Sequence, residues 1–127
     1  MKGDVCMHTL QNIETTKIHK VLLSIGIPPN LLGYTYIITA IELITQNPFY
    51  LRTMTKCLYQ DIAIQYDVSV SSVERAIRNA ISVGWLHGNI KTIDGIFYNC
   101  VDPEKGFPSN SIFLTRLYHY FNSEEFE

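Results

Sequence analysis

Residues 71 to 86 read Ser71-Ser72-Val73-Glu74-Arg75-Ala76-Ile77-Arg78-Asn79-Ala80-Ile81-Ser82-Val83-Gly84-Trp85-Leu86, and their spacing decides the fold. At about 3.6 residues per turn, Val73, Ala76, Ile77, Ala80, Ile81 and Gly84 fall on one apolar stripe. Ser71, Glu74, Arg75, Arg78 and Ser82 fall on the opposite, polar face. The pattern predicts one continuous helix from Ser71 to Trp85, with Ser69 as its N-cap. Upstream, Leu58 to Tyr66 predicts a shorter helix in which Ala63 is small enough to admit a close partner. Between them, Asp67 takes a turn position, because Asp tolerates left-handed geometry better than most residues. Val68 and Val73 are expected to fill the angle between the two helices. Two helices joined by so tight a turn, the second with arginines on its free face, read as a helix-turn-helix. Duplex DNA is therefore the first partner to consider.

Outward from this pair the chain continues in helical periods. Ile13 to Ile25 places Ile18, Val21, Leu22 and Ile25 on one face; Gly26 closes it and Pro28-Pro29 prevents its resumption. A second helix runs from about Leu31 or Tyr34 to Gln46, where Asn47-Pro48 ends it. Its Ile37, Ile38, Ala40, Ile41 and Ile44 make the widest apolar face, so it is expected to be the most buried helix. Leu51 to Cys57 reads as a turn or short helix. After the break at Gly88-Asn89, a short helix is expected at Ile93 to Tyr98, then a loop over 102–109. A last helix begins near Asn110, with Phe113, Leu114, Leu117, Tyr118 and Phe121 at helical spacing. Alternating strand patterns, internal repeats and low-complexity segments are absent from the sequence. The expected fold class is all-α, a compact bundle of about six helices containing the helix-turn-helix. The expected division is a loose lead-in over 1–12, the helical domain over 13–122 and an acidic tail over 123–127.

With 127 residues and 46% hydrophobic composition, the chain fits one domain with an ordinary core. No apolar run reaches the roughly 18 residues of a membrane span, and the first residues lack a signal-peptide layout, so a cytoplasmic location is expected. The net charge of −2 argues mildly against nucleic acid, but its distribution softens that. Residues 17–91 carry +3 and residues 92–127 carry −4, so the acidic excess lies away in sequence from the arginine-bearing helix. For DNA, a local basic surface matters more than the total.

Cys6, Cys57 and Cys100 are far apart, and His8, His19, His87 and His119 are equally scattered. Metal sites want ligands clustered at short spacing, so neither a metal nor a cofactor is expected. A nucleophile–base pairing, a glycine-rich phosphate loop and a paired-carboxylate signature are all missing from the sequence; nothing in it recommends an enzyme.

A further set of residues stands in a fixed order around the helix pair. It comprises Gly26-Ile27-Pro28, Gly33-Tyr34, Ala40-Ile41, Leu58-Tyr59 with Asp61-Ile62-Ala63, and Val73-Glu74-Arg75-Ala76-Ile77-Arg78. Ala80-Ile81, Trp85, Gly88-Asn89-Ile90, Pro108, Asn110-Ser111 and Phe113 follow. In this order the chain resembles, over about residues 15 to 121, the C-terminal effector domain of the stage-zero sporulation master regulator, a response regulator of endospore-forming bacteria. The resemblance implies a six-helix domain that binds short DNA boxes and regulates transcription, usually as a dimer on tandem sites. Carried onto this chain, it implies DNA contacts at Ser71, Ser72, Glu74, Arg75, Arg78 and His87. The implied partners are duplex DNA, a second copy on that DNA, and RNA polymerase or a related regulator, with no membrane.

The departures are also informative. The family joins this domain to an N-terminal receiver, which the 127 residues do not contain; either the protein stands alone or the chain is a fragment. Where the family usually has an arginine this chain has Ser72, and another family arginine corresponds to His87. Family lysines lie near Ile64 and Gln65. Fewer charged contacts mean weaker binding and a shallower salt dependence.

From the residues themselves, Arg75 and Arg78 have two readings. One is a solvated face with an ion pair between Glu74 and Arg78, four residues apart. The other is DNA readout: arginine binds guanine bidentately, Glu74 accepts from cytosine or orients an arginine, and Ser71 and Ser72 at the helix start suit phosphate. Trp85 is expected in the core, and the apolar last helix is expected to pack inward rather than form a dimer seam. An alternative function is a protein-interaction module that keeps the fold, has weakened DNA binding and acts on a related regulator.

Overall fold

The computed structural model describes residues 15–101 and 104–123; the expected lead-in over 1–12 and most of the acidic tail lie outside them. Six α-helices appear among the described residues, and no strand. They are α1 (described over 15–25), α2 (Leu32–Gln46), α3 (Tyr59–Tyr66), α4 (Val70–His87), α5 (Ile90–Phe97) and α6 (Asn110–Phe121). The expected all-α bundle is the observed architecture.

Nine of the fifteen residues of α2 are buried, against five in the longer α4, so α2 is the central helix, as its wide apolar face predicts. It packs on α4, α6 and α3. Its one buried polar residue, Thr39, meets the Tyr66 hydroxyl at 2.6 Å, which removes the cost of leaving that group unpaired. The first helix buries Ile18, Leu22 and Ile25 in the core. His19 Nδ1 also meets the Tyr34 hydroxyl at 2.8 Å, and Thr15 donates to Glu42 Oε2 at 2.7 Å. Gly26, at φ +99°, ends α1 in the left-handed region. Its N–H and that of Ile27 close onto the carbonyls of Leu22 and Leu23, the closure expected of a C-terminal glycine.

The decisive stretch folds as its spacing dictates. Helix α4 is continuous from Val70 to His87, and Val73, Ile77, Ala80, Ile81 and Gly84 are its buried residues; Ala76 is half-buried at the edge of the stripe. Burying Val73, Ile77 and Ile81 contributes about 1.5–3 kcal/mol each. The helix begins at Ser69, whose Oγ accepts from the Ser72 N–H at 3.1 Å and donates to Ser72 Oγ at 2.9 Å. Ser69→Ala is therefore expected to cost about 1 kcal/mol, measured as a lower denaturant midpoint with unchanged slope. Before it, Asp67 sits at φ 55°, ψ 51°, and Val68 N–H returns to the Ala63 carbonyl at 3.0 Å, closing α3 in the Schellman manner. Three residues thus separate α3 from α4. Val73 is fully buried between them, but Val68 is 36% exposed. Val70, the first residue of α4, packs against the core instead, because Val68 falls in the connection ahead of the first helical residue.

The remaining differences have local causes. Pro48 does more than end α2: with Asn47 accepting from the Phe49 N–H, it opens a 3-10 turn over Pro48–Arg52. Proline suits such a first position, where its missing N–H is not needed. A π-turn over Met54–Leu58 then leads into α3. Helix α5 begins at Ile90, three residues before the expected Ile93, because Asn89 Oδ1 accepts from the N–H groups of Lys91 and Thr92. Helix α6 starts at Asn110 behind the Ser109 cap and packs Phe113, Leu114 and Leu117 inward. Trp85 meets Phe97 and Phe113 edge-on, with ring centroids at 5.0 and 6.1 Å. It packs against the core as expected.

Candidate nucleic-acid interface

The buried stripe holds α4 against α2, α3 and α6 and turns its other face outward. Ser71, Arg75 and Arg78 are exposed there, Glu74 is half-exposed, and the four line one shallow, open groove. Arg75 Nε reaches back to the Ser71 carbonyl at 3.4 Å, so its guanidinium lies over the first turn of the helix. Glu74 and Arg78 are not joined by an ion pair. The carbonyl of Glu74 accepts from Asn110 Nδ2 at 3.0 Å, tying the start of α6 to the second turn of α4.

Ser72 belongs to the cap: it is half-buried and its hydroxyl accepts from Ser69. His87 is exposed at the far end of α4. Sixteen residues beyond Ser71, it lies about 24 Å along the helix axis at about 1.5 Å per residue. Folding thus brings Ser71, Glu74, Arg75 and Arg78 together, places Ser72 behind them, and leaves His87 apart.

Folding also adds groups that no spacing in the sequence links to α4. A cleft of ≈ 240 Å³ beside the groove is lined by Tyr59, Glu74, Arg78, Lys105, Asn110 and Ser111, among others. Tyr59 is 4% exposed. Burial raises the pKa of its phenol, opposed by a hydrogen bond with Asn110; Glu74 raises it further and Arg78 lowers it. The hydroxyl therefore stays protonated at neutral pH and serves as a neutral floor. On the other side of α4, Gln60, Ala63, Ile64, Asp67, Val68 and Val70 line a surface without a cation, and Ile64 is 77% exposed.

A helical bundle that leaves the polar face of one capped, arginine-bearing helix bare has the build of a DNA-binding domain of a transcription regulator. The chain belongs to the family described as "Sporulation initiation factor Spo0A C terminal", whose sequence pattern it matches over residues 18–121. That family is one of DNA-binding domains acting in sporulation, and the match runs from the first buried residue of α1 to the last residue of α6. Among the described residues, no helix is long and apolar enough to cross a membrane.

Proposed function

We propose that this chain binds duplex DNA sequence-specifically and regulates transcription, with α3 and α4 acting as a helix-turn-helix and α4 lying in the major groove. The supporting observation is the joint exposure of Ser71, Glu74, Arg75 and Arg78 on the face of α4 that the core does not use. Arg75 and Arg78 are the base-reading residues, each able to pair bidentately with guanine O6 and N7. Glu74 accepts from a cytosine amino group or orients Arg78, and Ser71 contacts phosphate at the helix start. His87 lies farther from Ser71 than the roughly 12 Å width of the groove, so its contact falls on flanking backbone. On DNA, a second copy and RNA polymerase are the further partners. The test is selection from random duplexes at controlled salt, which should enrich one short sequence.

Ser72 gives a sharper expectation. Its side chain is short and engaged in the cap, so it reaches no base, and one position of the selected site should be read poorly. Ser72→Arg keeps the Ser72 N–H that the cap needs. It is expected to raise affinity for the selected duplex and to steepen the salt dependence by about 0.9 in log–log slope if the new arginine meets a phosphate. Sharper discrimination at one base pair indicates a base contact instead. Titration at two salt concentrations against selected and scrambled duplexes separates these results. No gain on either duplex means that α4 does not dock in this orientation.

A second reading, an interaction module acting on a related regulator, is favoured by exposed Ile64 and Val68 beside the same helix. Exposed apolar side chains grouped on a surface mark protein contacts more often than DNA contacts. Failure of the selection, together with binding to a related regulator that Ile64→Asp abolishes, would favour it.

A further inference from the structure

The two flanks of α4 differ in charge. On the α3 side, the surface formed by Gln60, Ala63, Ile64, Asp67, Val68 and Val70 carries one acid and no cation. On the α6 side, the ≈ 240 Å³ cleft is lined by two cations, Arg78 and Lys105. They come from α4 and from the segment before α6, and the hydrogen bond from Asn110 to the Glu74 carbonyl sets their elements together. Neither makes an ion pair among the described residues, although Glu74 also lines the cleft. Two cations facing one carboxylate leave an unbalanced positive charge above the neutral, protonated Tyr59. The Met54–Leu58 turn, which borders the cleft through Met54 and Thr55, carries a further exposed cation in Lys56.

A helix lying in a major groove is bordered on both sides by sugar–phosphate backbone, and the contacts made there fix its register. Arg78 stands at the edge where the reading groove and the cleft meet, since it lines both. We propose that the cleft between α4 and the start of α6 holds one backbone phosphate of the bound duplex, with Lys105 as its principal cation. The electrostatic grip is then one-sided, on the α6 flank. This inference rests on the DNA-binding reading and adds a residue remote in sequence from α4. Lys105 is exposed, so it is replaceable without disturbing the core.

The experiment compares the wild type with Lys105→Gln and Arg75→Ala, on the selected duplex and on a scrambled duplex of equal length, at several salt concentrations. Lys105→Gln is expected to weaken both duplexes alike, by about three- to tenfold at low salt, and to lower the log–log salt slope by about 0.9. A scan with single methylphosphonates, which neutralise one phosphate at a time, should find one position that weakens the wild type but not Lys105→Gln. Unchanged binding by Lys105→Gln, with Arg75→Ala impaired, overturns the cleft assignment and leaves the DNA reading standing. A loss confined to the selected duplex also overturns it, because a phosphate contact carries no sequence information. If the wild type binds neither duplex, both readings fall.

Discussion

Gly88→Ala is expected to destabilise the domain by about 3 kcal/mol, the upper end of the usual cost of forcing atoms into a packed site. Gly88 stands between α4 and α5, where the end of α1 crosses. A Cβ built there would lie 1.5 Å from the Ile25 carbonyl oxygen and 2.5 Å from that of Gly84. Both obstacles are backbone atoms and cannot rotate aside. The Gly88 dihedrals, φ −85° and ψ 176°, are open to any residue, so the penalty is steric rather than conformational. Relief requires α1 to move away from α4, which uncovers Ile25 and Ile27 beside Gly84. At roughly 4 °C or more per kcal/mol for a domain of this size, the melting temperature should fall by on the order of 10 °C, measured by far-UV circular dichroism. A melting temperature within a degree or two of the wild type would mean that α1 and α4 do not meet so closely.

The second large effect concerns Arg75 and Arg78. Each replacement by Ala is expected to weaken binding to the selected duplex by about 1–3 kcal/mol, roughly 5- to 150-fold, and Arg75→Ala should change little on a scrambled duplex. Both side chains are exposed, so stability should stay within about 0.5 kcal/mol of the wild type, and loss of binding is then not loss of fold. The two should differ in one respect. Arg75 lines only the groove on the outer face of α4, whereas Arg78 also lines the cleft with Lys105. Arg78→Ala should therefore lower the salt slope as well, and Arg75→Ala should act mainly on discrimination. Equal loss on all sequences from both variants would reassign them to phosphate contact.

Helix α4 is legible in the sequence because every local preference agrees there. The stripe from Val73 to Gly84, the Ser69 cap and the left-handed Asp67 all point to one helix and one turn, and the structure has both. Agreement across levels of this kind is what makes a segment readable. Segments whose start depends on a single cap are harder to read. Asn89 begins α5 three residues before its first buried residue, Ile93, and Pro48 opens a 3-10 turn where it also looks like a mere helix stop. Val68 and Val70 are chemically alike, and only the position of the first helical residue decides which one turns inward. The cleft is illegible for a different reason. Lys105 shares a cleft with Arg78 only because α6 docks on α4 through Asn110 and the Glu74 carbonyl, a tertiary contact with no periodicity in the chain. His87 shows the reverse: it shares an element with Arg75 but lies at the distant end of the helix.

The central claim is that the exposed face of α4 reads DNA sequence. The most direct measurement is the affinity of the wild type, Arg75→Ala and Arg78→Ala for the duplex enriched from a random pool, and for its scrambled counterpart, at one fixed salt concentration. The wild type should prefer the enriched duplex by at least about a thousandfold, the lower end of ordinary specific recognition. Each alanine variant should lose much of that preference while keeping its fold. A pool that yields no enriched sequence, or a preference that survives both substitutions intact, would contradict the claim.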